Sequence, residues 1–327
     1  RGVELSLTGY IMDRPDFTLN ATFNIGRNKN KIDKLARGEK EMVLSSGWAG
    51  SQLLNSDDYR AYVGGTTGLI YGFVNDGFYT VDDFKPFDSK SRTWTLKDGV
   101  VNSSPLSGDP RPGNAKFKKL TPVDENSANP YTLTDDDRTV IGNTTPKFSG
   151  GFGLNATFKG FDVSAFFNFM YDFDVFNANK VMMTTWASNN YNNFSMDISA
   201  AKRWRNFDDM GNEIRYSPEI LAEFNKNATM WNPTSIGRPI AMSYAVEDGS
   251  FLRLNTATIG YTLPRAWTNK VGLSRVRFYA SGYNLFTITG YSGYDPEVDI
   301  ATGLTPNIDN NRYPRSRTYT FGVQLTF

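Results

Sequence analysis

The side chains that most often carry chemistry near neutral pH are missing from this sequence: none of its 327 residues is His or Cys. A Cys nucleophile, a Ser–His pair, a disulfide framework and a zinc centre with the usual ligands are therefore excluded. Carboxylates remain. The densest run is Asp135-Asp136-Asp137, and paired carboxylates serve as acid and base in glycoside hydrolysis. On an extended segment neighbouring side chains point to opposite faces, so only Asp135 and Asp137 could converge. A solvated turn or a salt-bridged loop accounts for the same residues without any reaction. The chain reads as a non-enzyme.

Aromatic rings are the second resource. Trp48, Tyr59, Tyr62, Tyr71, Phe73, Tyr79 and Trp94 crowd one long connecting region, and Trp186, Tyr191, Phe194, Trp204 and Trp231 crowd another. Exposed rings stack on sugars or hold apolar peptide side chains, while Asn and Asp direct hydrogen bonds. The run Ser188-Asn189-Asn190-Tyr191-Asn192-Asn193-Phe194 has that character. Trp48, Tyr71, Trp186, Asn189, Tyr191, Trp204 and Trp231 are accordingly the candidate substrate contacts. A competing reading packs these rings on one another, because loops of about 120 and about 80 residues need small cores of their own.

Charge removes another class of partner. Lys and Arg number 35 against 34 Asp and Glu, a net charge of +1. Phosphate neutralisation requires a basic stripe, and none is visible, so nucleic acid is not a partner.

The elements that would position these residues are strands. No run of 18 apolar residues occurs and the mean hydropathy is −0.45, so no transmembrane helix is expected. A transmembrane β-barrel fits those values, since its strands alternate apolar with polar residues. Val3, Leu5, Leu7, Gly9 and Ile11 share one face of a first strand, with Glu4, Ser6, Thr8 and Tyr10 on the other. Asp13-Arg14-Pro15-Asp16 is a turn signal, and Phe17, Leu19, Ala21, Phe23 and Ile25 then alternate with Thr and Asn. The pattern returns over 148–158 and 161–171, separated by a two-residue turn at Lys159-Gly160, with Phe166 as the one ring out of phase. Further strands cover 251–263, with a bulge expected near Leu252 and Leu254, then 275–283 and 318–327. Seven strands of roughly 10 to 12 residues are long for a soluble sheet and right for tilted membrane-spanning strands.

The connections point the same way. Short or medium links at 12–16, 159–160 and 262–274 alternate with long ones at about 26–147, 172–250 and 287–317. Outer-membrane barrels have short periplasmic turns and long extracellular loops, whereas a sandwich has no reason to gather its long loops at one end. The C-terminus then falls at the periplasmic side. Phe17, Phe158, Phe161, Tyr171, Tyr261, Phe286 and Phe327 would form interfacial girdles, and Asn20, Thr22, Asn155 and Gln324 would face the lumen. Two short helices are expected in the second long loop, over 197–207 and from Ser217-Pro218 to Asn225. Seven strands are odd in number and leave two edges unpaired in lipid, so the chain reads as the C-terminal part of a larger barrel.

Several stretches then resemble one family. Gly249-Ser250-Phe251-Leu252-Arg253-Leu254 with Ile259-Gly260-Tyr261-Thr262-Leu263-Pro264 is similar to the near-terminal signature of SusC/RagA-type TonB-dependent outer-membrane transporters. So is Gly282-Tyr283-Asn284-Leu285-Phe286-Thr287 followed by Tyr291-Ser292-Gly293-Tyr294-Asp295-Pro296-Glu297, and the closing run from Tyr313 to Gly322. Upstream, Asn28 to Ile32, Ile70 to Tyr79 and Asp136 to Gly142 match in the family's order. The resemblance implies a barrel of about 22 strands with an N-terminal plug, of which this chain supplies roughly the last third. It also implies a SusD-like surface lipoprotein over the loops, TonB contact through the missing N-terminal part, and glycan or oligopeptide cargo.

Where relatives carry a short calcium-type loop before Asp136, this chain reads Lys116-Phe117-Lys118-Lys119-Leu120-Thr121-Pro122-Val123-Asp124-Glu125-Asn126. That spacing is degraded, so no cofactor is expected, with Asp135 and Asp137 left as donors for a loop calcium. Tyr319, Phe321, Val323, Leu325 and Phe327 resemble the C-terminal signal for barrel assembly. The rival to transport is a surface-exposed β-rich glycan-binding protein or adhesin using the same aromatic rings.

Overall fold

The computed structural model describes every residue except 56, 186–193 and 299–302. Seven strands form one sheet: Gly2–Arg14, Phe17–Asn28, Phe148–Phe158, Phe161–Tyr171, Phe251–Thr262, Arg275–Thr289 and Thr318–Thr326. Each pairs antiparallel with the next along the chain, as an up-and-down barrel wall requires. The first hairpin turns on Pro15-Asp16 alone. The second turns on Lys159 and Gly160 with φ of 45° and 90°, the doubly positive geometry that suits right-twisted strands. No helix among the described residues is long and apolar enough to cross a membrane, which says nothing of strands.

Register decides what each face of the wall is. Directly paired residues share a face, so cross-strand rows can be followed from edge to edge. One row runs Leu19, Ala156, Val163, Ile259, Ala280, Phe321. The neighbouring row on the opposite face runs Tyr10, Asn20, Asn155, Ser164, Thr258, Ser281, Thr320. Within that polar row Asn155 donates to Asn20 Oδ1 at 3.1 Å, and the Thr258 and Ser281 hydroxyls lie 2.8 Å apart. One residue of slip anywhere would move a strand's whole apolar set to the polar side. The apolar face is left open by this chain: Val163, Ile259, Phe278 and Phe321 are all exposed.

Aromatic residues bound that face. Phe17, Phe158, Phe161, Tyr261 and Phe278 form one unbroken row across five strands at the short-turn end. The Phe161 and Tyr261 ring centroids are 4.5 Å apart, and those of Phe17 and Phe158 are 6.3 Å apart. At the long-loop end Phe148 pairs with Tyr171, and Arg27 lies over the Phe148 ring. From Phe161 to Tyr171 is about 33 Å along the strand. At a tilt of about 40° this spans about 25 Å, the height of the apolar band of an outer-membrane barrel.

Bulges account for the departures from simple alternation. Tyr10 pairs with Asn20 but Met12 pairs with Leu19, so Ile11 is the extra residue rather than a member of the apolar face. The expected bulge in the fifth strand falls at Asn255: Leu254 and Thr256 pair with consecutive residues of the fourth strand. Phe166 is no irregularity. Its ring lies over Gly151 and Gly153 on the polar face, where an added Cβ at Gly151 would sit 2.9 Å from the Phe166 ring.

The long connections fold together as a layer with its own core. Glu41–Leu44, Tyr59–Tyr62, Leu69–Gly72 and Thr139–Asn143 make a four-stranded sheet in the first loop. Val246–Asp248, Asp174–Asn177 and Ile308–Asp309 make a three-stranded sheet joining the second and third loops. A bridge from Phe73 to Met242 joins the first to the second. The main core draws Tyr59, Ile70, Phe73 and Phe117 from the first loop, Phe176, Trp231 and Met242 from the second, and Ile308 from the third. Of the expected helices, Pro218–Phe224 forms behind Ser217. The segment 197–207 does not become an α-helix: only a 3-10 turn, Met196–Ile198, forms, and Trp204 sits in an irregular stretch.

A charge on the apolar face should be far costlier than one on the polar face. In the full-length protein, Ala165→Arg should cost about 2–4 kcal/mol at mid-band and reduce the heat-modifiable barrel recovered from membranes. Ser164→Arg, one residue away, should assemble near wild-type levels.

Candidate functional site

The loop aromatics are mostly interior. Trp231 is 1% exposed and Trp204 3%, while Trp48 and Tyr71 are each 8% exposed. Trp48 packs 5.4 Å from Phe176, Trp204 5.7 Å from Phe78, and Trp231 4.8 Å from Tyr244. Gly113 makes room for Trp204, since an added Cβ there would lie 2.1 Å from the indole. Tyr71 lies against the guanidinium groups of Arg60 and Arg138, 5.2 Å and 4.8 Å from its centroid. The expectation that these four rings present faces to cargo is therefore corrected. Loops of this length bury apolar surface by folding on themselves, and the largest rings go inside. Trp186, Asn189 and Tyr191 lie outside the described residues.

The acidic triplet is a turn, as the reading without any reaction has it: the 3-10 turn Asp135–Asp137. Asp137 is fully buried and accepts hydrogen bonds from the backbone N–H groups of Leu120, Thr121 and Thr134 at 2.8 to 2.9 Å. Thr121 Oγ1 and Lys119 Nζ add to these at 2.7 and 3.3 Å. Burial alone would raise its pKa, but the donors from Thr121, Thr134 and Leu120 outweigh it and hold the carboxyl far below the usual range. Asp135 instead faces Asn55 and Arg138. The two carboxylates are thus spent on different partners, Asp137 as a clamp on the 119–121 strap. Among the described residues no group of three or more acidic side chains is placed to hold a metal ion.

A charged knot fixes the third loop to the wall. Arg253 of the fifth strand is buried with Asp295 at 2.5 Å and Glu297 at 3.0 Å, and Glu297 also meets Arg315 at 3.3 Å. Burial pushes the Asp295 carboxyl up, and Arg253 with the Glu297 and Arg315 amides more than reverses this. Beside it, Glu247 takes Ser292 N–H at 2.9 Å and Lys180 at 3.3 Å, and the Tyr291 hydroxyl donates to Asp309 at 2.7 Å. Composition and alternation gave no hint of this cluster. Its sequence signal was an Arg interrupting a strand upstream of an Asp-Pro-Glu.

Between the first and second loops lies an open cleft of about 770 Å³. Arg92, Trp94, Arg111 and Asn114 line it from the first loop, and Asn206, Arg215 and Tyr216 from the second. Phe87 holds its aromatic side together, 4.8 Å from Trp94 and stacked 6.1 Å from Tyr216. Guanidinium groups of Arg92 and Arg215 stand 5.2 and 5.7 Å from the Tyr216 centroid. None of these lining residues was singled out as a contact from sequence. Trp94 was noted only as a loop ring.

An antiparallel wall with one continuous apolar face, an aromatic row at one margin, an aromatic pair at the other and long loops gathered at one end defines a portion of a transmembrane β-barrel. No protein-family model matches the chain. Among curated proteins it is 30% identical over 333 residues to TonB-dependent receptor P3 of Formosa agariphila, covering 100% of this chain and 28% of that one. It is 32% identical over 164 residues to TonB-dependent receptor SusC of Bacteroides thetaiotaomicron, covering 46% of this chain and 15% of that one. Among solved structures, the RagAB peptide importer in its open-open state matches with a TM-score of 0.65 at 23% identity, covering 100% of this chain and 28% of that one. The chain belongs with the SusC/RagA-type TonB-dependent transporters, and it spans under a third of the length of the relatives it matches.

Removing the clamp should loosen the first loop. Asp137→Ala leaves the N–H groups of Leu120, Thr121 and Thr134 without that acceptor and Lys119 with only the neutral oxygens of Thr121 and Thr132, and should cost about 3 kcal/mol or more, seen as faster proteolysis of the loop in the full-length protein. Because the folded pKa is depressed, the clamp's contribution is present above the unfolded value of about 4 and declines as pH falls below it. Wild-type loop protection should drop over that range, and the variant should lack that component of the drop.

Proposed function

We propose that the whole transporter imports nutrient oligomers across the outer membrane in a TonB-dependent manner, working with a SusD-like surface lipoprotein. This chain contributes wall, lumen surface and the folded loop layer. The carrying observation is the wall register, which opposes a continuous apolar face to a polar face of Asn, Ser and Thr. The curated relatives are receptors and the structural neighbour is a peptide importer, which supports transport over catalysis. A soluble adhesin would have to cover the exposed apolar face with a second layer, and the described residues supply none.

On this reading the loop layer is extracellular and the C-terminus is periplasmic. Glycan or oligopeptide is captured between lipoprotein and loops, and TonB, engaging the N-terminal part, opens the plug. Tyr319, Phe321, Val323 and Leu325 lie on the exposed apolar face of the last strand, and Phe327 follows it directly, exposed, where assembly machinery reads them.

Two outcomes test this. Cells lacking the transporter, or TonB, should lose uptake of the same fluorescent oligomer and regain it on complementation. Uptake that persists without TonB would overturn the import mechanism. Phe327→Ala should lower the amount of heat-modifiable barrel in the outer membrane, and unchanged amounts would remove the assembly-signal role.

A further inference from the structure

The cleft between the first and second loops has a composition that the chain as a whole does not share. Overall the charges cancel to +1, yet three arginines line this cleft, Arg92, Arg111 and Arg215, against a single carboxylate, Asp109. Neither Arg92 nor Arg111 forms an ion pair among the described residues. Arg215 is paired with Glu213, so the positive excess rests on the other two.

Arg92 is also held in a costly conformation. Its φ is 55°, a left-handed value that L side chains rarely adopt. The turn around it is over-determined: Asp88 accepts from Lys90 N–H at 2.9 Å and the Ser91 hydroxyl at 2.6 Å, and Asp88 and Thr93 exchange backbone hydrogen bonds. The result places the Arg92 guanidinium over Tyr216, a residue of the other loop. Strain kept in place by a tight turn, at the lip of a cleft, is what a binding site uses to fix a group before its ligand arrives.

We propose that this cleft binds an anionic oligosaccharide, a chain of pyranose rings bearing carboxylate or sulfate groups. Trp94 supplies an aromatic surface on which a sugar ring stacks, while Tyr216, already packed on Phe87, braces the Arg92 and Arg215 guanidinium groups. Arg92 and Arg111 supply planar forks that bind an oxyanion through two parallel hydrogen bonds, which a Lys cannot do. Asn114 and Asn206 supply directed partners for ring hydroxyls. An acidic peptide fits less well, because none of these lining residues belongs to a strand of the loop sheets and an extended peptide finds no edge to pair with. The assignment narrows the cargo of the import reading and rests on it.

The test uses the full-length transporter purified from outer membrane and calorimetric titration with four probes. These are an oligogalacturonate, a carrageenan-derived sulfated oligosaccharide, a neutral malto-oligosaccharide and a polyglutamate peptide. At least one acidic saccharide should bind, and the two acidic saccharides distinguish carboxylate from sulfate. Arg92→Ala and Arg111→Ala should each weaken that binding about tenfold or more, and added salt should weaken it further. Arg92→Lys, which keeps the charge and the fold, should recover only part of the loss. Neutral saccharide binding equally well, polyglutamate binding as tightly as the acidic saccharide, or binding indifferent to both arginines would each overturn the assignment. Uptake is scored separately in cells. Arginine-dependent binding without TonB-dependent uptake removes the import reading and leaves the cleft, whereas uptake with arginine-independent binding does the reverse.

Discussion

Backbone hydrogen bonding in a medium without water is the constraint from which the rest of this structure follows. An N–H or C=O left unpaired in hydrocarbon costs several kcal/mol, so a strand wall must satisfy every one through its neighbours. Here each strand pairs with the next along the chain through a long antiparallel ladder. Once those ladders are fixed, side-chain direction is fixed with them, and the apolar and polar faces are consequences rather than additional features. The first and last strands are paired on one side only, and in the barrel their open edges are met by the neighbouring strands.

A wall used on both faces, one toward lipid and one toward a lumen, cannot supply a conventional interior. The hydrophobic core is accordingly displaced into the loops, where Tyr59, Phe117, Phe176 and Trp231 are almost wholly enclosed. This gives the loop layer a packed interior that long connections do not ordinarily have. It also has to be attached to the wall. The buried Arg253 with Asp295 and Glu297 does this from the top of the fifth strand, and Asp137 fastens the lysine-rich strap of the first loop. Removing one partner of such a buried set costs far more than the net worth of the pair, which makes both clusters points of local fragility as well as anchorage.

The wall was legible in the sequence because its signals are local. Period-two alternation, Pro15-Asp16 and Lys159-Gly160 located most strands and turns to within a few residues, and the broken phase near Leu254 marked a real bulge. The sixth strand was drawn too short: it runs past the expected end at Tyr283 to Thr289. The bulge at Ile11 was missed because an apolar residue occupies the extra position and leaves the pattern looking intact. The loop layer was far less legible. Trp48, Tyr71, Trp204 and Trp231 looked like surface binders, and only tertiary packing between loops distant in sequence shows them to be interior. Asp135 to Asp137 does form the turn that was weighed against a paired-carboxylate site, a 3-10 turn capped with Thr134, but the burial of Asp137 was not foreseen. The cleft escaped notice for the same reason, since Arg92 and Tyr216 meet only after two long loops fold together.

The central claim is that this wall sits in the outer membrane with its loop layer outside and its short turns inside. Single-cysteine labelling of the full-length transporter in intact cells tests it directly, in a background from which other cysteines are removed. With a membrane-impermeant maleimide, Asn126→Cys in the first loop should label at once. Trp267→Cys, in the turn after the fifth strand, should label only after the outer membrane is permeabilised, and Val163→Cys on the apolar face should resist in both conditions. Ready labelling of Val163→Cys, or of Trp267→Cys in intact cells while Asn126→Cys stays protected, would contradict the account.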